Sequence, residues 1–90
     1  MQPKEAVAIA KKYVADLFAD EQPADIGLEE LAYEDRHGRW HVTIGFTRPW
    51  DRSTGATDVV GRALNRAYKV VIIGDRDRRV VSMKDRVLAR

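Results

Sequence analysis

Residues 35–47 read DRHGRWHVTIGFT, a charged turn running into a strict two-residue alternation. Gly38 supplies the left-handed backbone conformation that a tight reversal needs. Beyond it Trp40, Val42, Ile44 and Phe46 fall on one side of an extended chain, and His41, Thr43, Gly45 and Thr47 on the other. Such a strand lays one face on a core and leaves the other to solvent or a partner. Upstream, residues 26–35 also carry a two-residue period. Leu31 and Tyr33 share a parity with Glu29, while Ile26 and Leu28 take the opposite one, so a bulge or bend is expected near Glu29-Glu30. The two runs and their turn form a hairpin.

A second hairpin is expected around Asp75-Arg76-Asp77-Arg78. Before it, Tyr68, Val70 and Ile72 alternate with Lys69, Val71 and Ile73, which makes both faces apolar near the end and suits a central strand with Tyr68 turned to the core. After it, Val81 and Met83 alternate with Ser82 and Lys84, and residues 86–90 are expected to fray. Ahead of both hairpins, Ala6, Val7, Ile9, Ala10, Tyr13, Val14, Leu17 and Phe18 recur at three- and four-residue spacing, the stripe of an amphipathic helix. Pro3 suits its first position, Lys12 and Asp16 are spaced to pair, and Pro23 stops it after an end near Asp20. The expected architecture is α+β, with one N-terminal helix packed on a four-stranded antiparallel sheet in the order α-β-β-β-β.

Ninety residues make a single domain, and 44% apolar with 33% charged residues is enough to bury one modest core under a densely charged surface. There is no cysteine, so disulfides, thiolate chemistry and cysteine-based metal sites are excluded. The chain shows neither a secretory leader nor a membrane-spanning apolar run, which leads to the expectation of a cytoplasmic protein with no membrane partner.

The net charge of +2 conceals an asymmetry. Residues 1–35 hold three lysines against nine carboxylates, and residues 36–90 hold thirteen Lys and Arg against five carboxylates. Either the halves neutralise one another within the fold or across a dimer, or the second half presents a basic face to nucleic acid or an acidic protein.

The helix PKEAVAIAKKYVADLF and the closing segment AYKVVIIGDRDRRVVSMKDR resemble the helix and final hairpin of PepSY-type domains, which share the cystatin-like arrangement. The whole order is also similar to small bacterial immunity-type proteins and to uncharacterised bacterial proteins carrying the segment IGFTRPWD. The resemblance implies a bacterial protein with that fold and a protein-binding role, PepSY domains being implicated in restraining proteases. It maps no catalytic residue onto this chain.

The residues themselves point the same way. His37 and His41 straddle a turn and a strand and lack further metal ligands. Ser53 and Ser82, with His41 and Asp51, sit in no nucleophile elbow and beside no oxyanion segment. Glu29, Glu30, Glu34 and Asp35 read as solvated carboxylates rather than an acid and base pair, and Gly55 and Gly61 are too far apart to cradle phosphate. No cofactor and no enzymatic activity are expected.

Two binding classes stand. The first is a non-catalytic protein-interaction module of the inhibitor or immunity kind. It would use the long turn-rich connection of residues 48–63, where Trp50 is flanked by Arg48, Asp51 and Arg52, together with the sheet residues His41, Thr43 and Thr47. Trp50 either folds back to cap the sheet or anchors a partner, and a short helical turn over residues 58–64 is compatible with the pattern. The second class is a nucleic-acid binder using Arg62, Arg66, Lys69, Arg76, Arg78 and Arg79, which calls for aromatics interleaved with those cations on one exposed face. The chain is expected to be a monomer, or a homodimer formed through a sheet edge.

Overall fold

The computed structural model of the chain describes residues 1–52 and 66–86. Helix α1 (Pro3–Leu17) and a one-turn 3₁₀ segment (Ala19–Glu21) precede strands β1 (Ala24–Glu34) and β2 (Arg39–Thr47). The single-turn helix α2 (Pro49–Arg52) follows, and then β3 (Ala67–Gly74) and β4 (Val80–Asp85). The strands form one antiparallel sheet in the order β1-β2-β3-β4, and α1 crosses one face of it. The α+β architecture read from the sequence is the one observed. The expected helical turn over residues 58–64 lies outside the described residues.

The core sits between α1 and the central strands. Ala6, Ala10 and Val14 on the helix and Val42, Ile44, Phe46, Val71 and Ile73 on the sheet are fully buried. At the helix start Glu5 accepts the Gln2 backbone N–H at 3.0 Å, which satisfies a donor that the first turn leaves over. At its end the Phe18 ring lies 5.1 Å from that of Phe46. Phe18 fills that end of the core, and Leu17, expected in the buried stripe, is instead 51% exposed.

The expected bulge in β1 is present. The ladder shifts between Leu28↔Ile44 and Glu30↔Thr43, so Glu29 is the extra residue, and Leu28, Leu31 and Tyr33 are brought to one face despite their mixed parity. A second shift lies between Ala24 and Gly27, where Asp25 takes a φ of 55°. Gly38, at φ 64°, adopts the left-handed conformation its turn requires.

β3 corrects the sequence reading. Its register places Val71 opposite Val42 and Ile73 opposite Trp40, so Lys69, Val71 and Ile73 face α1. Tyr68, Val70 and Ile72 lie opposite Gly45, Thr43 and His41, on the face away from the helix. The cause is the ladder: cross-strand partners share a face, and β2 had already committed Val42 and Ile44 to the helix. β4 is corrected likewise. A shift between Ile72↔Ser82 and Ile73↔Val80 makes Val81 the extra residue, so Val80 and Met83 pack on the core while Val81 stays largely exposed. Arg86, expected to fray, donates its backbone N–H to the Tyr68 carbonyl at 3.1 Å.

Both hairpin turns lie side by side at one end of the sheet, joined where the Asp75 N–H donates to the Gly38 carbonyl at 2.9 Å. Asp75 also accepts the Trp40 indole N–H at 2.8 Å and lies 3.2 Å from the Met1 ammonium. Arg78 reaches Glu5 at 3.4 Å, which ties the same turn to the start of α1. No helix among the described residues is long and apolar enough to cross a membrane.

Candidate partner-binding site

The end of the sheet opposite the turns carries Arg48, Trp50, Asp51 and Arg52 of the residues singled out for binding. β2 finishes at Thr47, whose hydroxyl donates to the Ala24 carbonyl at 3.3 Å, and Pro49 then starts α2. This places Arg48 between two rings. Its guanidinium carbon is 5.6 Å from the Phe46 centroid and 4.9 Å from that of Trp50, while a guanidinium nitrogen lies 3.5 Å from Glu21. Trp50 lies over the arginine and is 53% exposed. Asp51 and Arg52 complete the same turn of helix.

Beside Arg48 lies a cleft of about 380 Å³, lined by Arg66, Tyr68, Lys69, Asp85 and Arg86. Each cation there has a carboxylate neighbour. Arg66 meets Glu29 at 3.2 Å, Arg86 meets Glu30 at 3.3 Å, and Lys69 pairs with Asp85 while extending over the Phe18 ring. The Lys69 ammonium holds the Asp85 carboxyl below the usual range, first through the hydrogen bond and then through its charge. Gly45 makes the Arg66–Glu29 pair possible. A Cβ at that position would come within 2.8 Å of Arg66 and 2.7 Å of Glu29, so the pair rests directly on the backbone.

These contacts account for part of the charge asymmetry. Arg48–Glu21, Arg66–Glu29, Arg78–Glu5 and Arg86–Glu30 each join a carboxylate of residues 1–35 to an arginine of residues 36–90. Four ion pairs thus tie the acidic half to the basic half within the fold. Because the pairs are partly exposed they orient side chains more than they stabilise the chain.

On the face away from α1, His41 is partly exposed and Thr43 is not: at 3% exposure it lies in the floor of a groove and offers little contact area of its own. Glu34 sits between the two histidines, its Oε2 2.6 Å from His37 Nδ1 and its Oε1 3.9 Å from His41 Nε2. Among the described residues no group of three or more His, Cys, Asp or Glu is arranged to hold a metal ion. Of the basic set, Arg66 and Lys69 line the cleft near Trp50, whereas Arg76, Arg78 and Arg79 lie at the turn end, so no common face gathers them. Arg62, Ser53, Gly55 and Gly61 lie outside the described residues.

Tyr68, Glu30, Lys84 and Arg86 were not assigned to this surface from the sequence. Their alternation alone carried no signal, since only the β2–β3 register shows which parity of β3 faces outward. The chain matches no protein-family model, no curated protein and no solved structure.

Proposed function

We propose that this chain is a small, non-catalytic protein-interaction module of the inhibitor or immunity kind, which grips an acidic segment of a protein partner at the Trp50 end of the sheet. The observation that carries this reading is the Arg48 guanidinium held between the Phe46 and Trp50 rings, with Trp50 still half exposed. A rigid aromatic beside an oriented arginine loses little conformational freedom on binding, and that pairing dominates many protein interfaces. The cleft beside it would receive carboxylates, which exchange with the exposed ion pairs already lining it. The resemblance to PepSY-type and immunity-type proteins favours the same class.

The test is selection from a displayed random-peptide library against the wild-type chain and its Trp50→Ala variant. Acidic peptides enriched by the wild type and lost by the variant, at nearly unchanged melting temperature, support the proposal. Equal enrichment by both overturns it.

One observation favours a nucleic-acid-binding module as the second reading. Tyr68 lies on the open face beside Arg66 and Arg86, where a base could stack. The Glu29 and Glu30 partners of those arginines weigh against it, because a phosphate backbone would first have to displace them. Salt-dependent retention on single-stranded oligonucleotide would reverse the order.

A further inference from the structure

We propose that the open face of the sheet is a self-association surface, on which a second copy of this chain sits about a two-fold axis parallel to the strands. The argument starts from one row of cross-strand partners, Glu30↔Thr43↔Val70↔Lys84. It is negative at the β1 end, uncharged over the two central strands and positive at the β4 end. The adjacent row, Ala32↔His41↔Ile72↔Ser82, carries no carboxylate, lysine or arginine. Between them lies a groove of about 510 Å³ whose floor includes Ala32, Thr43 and Val70.

With strands spaced about 4.8 Å apart, Glu30 and Lys84 stand about 14 Å from each other, too far to pair within one chain. Lys84 has no carboxylate partner among the described residues, and Glu30 is 57% exposed although Arg86 touches its Oε1. A two-fold axis running along the strands, midway between two facing sheets, exchanges the ends of every row and keeps its position along the strand. Glu30 of each copy then lies over Lys84 of the other, twice, as the self-complementarity of a two-fold contact requires. A two-fold axis lying across the strands would instead put acid over acid and base over base. The charge pattern therefore selects one geometry, with the strands of the two sheets nearly aligned, as facing sheets pack.

The edges suit pairing less well. β1 is interrupted by two bulges, and β4 by one at Val81 with Lys84 close by, devices that blunt strand addition. The face is four strands wide, and Thr43 and Ile72 at its centre are already buried, so the contact area is small and belongs to weak, transient association. This contact uses neither Arg48 nor Trp50, so it can fail while the acidic-peptide reading stands, and the reverse.

Sedimentation equilibrium of the full chain, from about 10 μM to about 1 mM, tests it through Glu30→Lys and Lys84→Glu, both exposed substitutions whose folding is checked by circular dichroism. The wild type is expected to self-associate reversibly, and each single variant at least about tenfold more weakly, since like charges then face one another. An equimolar mixture of the two variants should associate again, because each supplies the charge the other lacks, and the chain carrying both substitutions should do so alone. A wild type that stays monomeric at the highest concentration, single variants that associate as the wild type does, or a mixture that stays monomeric would each overturn the proposal.

Discussion

The two faces of β2 and β3 are built from the same backbone and differ in how fully they leave water, although Thr43 and Ile72 on the face away from α1 are buried as well. Toward α1, Val42, Ile44, Phe46, Val71 and Ile73 are wholly buried, and the polar groups at the margin, Trp40 Nε1 and Asp75, satisfy each other. Away from it, Gly45 lies beneath the Arg66–Glu29 pair, and Arg86 pairs with Glu30 on the same side of the sheet. The helix face gains its stability from apolar area removed from water, at about 25 cal/mol per Å². The open face gains little from its charges, which hold side chains in place and leave a patterned surface. The stability of the sheet is thus divided unequally between its two faces.

That division breaks most visibly at Phe46. Phe46→Ala removes a fully buried ring that touches Phe18 and supports Arg48, and the expected cost is about 3–5 kcal/mol by denaturant titration. A substitution on the open face that cost as much would erase the distinction.

A smaller effect is expected from acid. Asp75 is held below the usual carboxylate range, first by the Trp40 indole N–H and then by the Met1 ammonium. Glu5 is lowered as well, first by the Gln2 backbone N–H, with Arg78 adding its charge, and Asp85 by Lys69. A depressed folded-state pKa contributes stability that is present above the unfolded value, near 4, and is lost as pH falls through the folded one. The melting temperature should therefore fall below about pH 4, and Asp75→Asn should lower it at pH 7 while flattening that acid slope. An acid slope identical in variant and wild type would remove Asp75 from the account.

The smallest effect belongs to the open face. A double-mutant cycle of Glu30→Gln and Arg86→Gln should give a coupling below about 1 kcal/mol that shrinks further in 1 M salt. A coupling of several kcal/mol would mean that this face, too, is built for stability.

Much of the fold was legible because it is local. The stripe from Ala6 to Phe18, the alternation from Trp40 to Phe46 and the turn at Gly38 each follow from the spacing of neighbours. The bulge at Glu29 was legible for the same reason, since the parity of the apolar residues changes across it. The candidate site was legible in part. Arg48 and Trp50 stood out as an aromatic and a cation in a connection, whereas Thr43, exposed by alternation, is covered by its neighbours.

The orientation of β3 could not be read locally, because Val70, Val71, Ile72 and Ile73 are apolar on both parities and either set could have faced the helix. The sequence by itself determined the element order, the turns and the face of β2 that seeks the core, since each rests on residues within one helical turn or one hairpin. Only the tertiary structure decided that Tyr68 faces outward, that four arginines of the basic half pair with carboxylates of the acidic half, and that Glu30 and Lys84 end one row. Each of these depends on the register between strands distant in the chain, and a ladder sets register by the sum of its pairings rather than by any one residue.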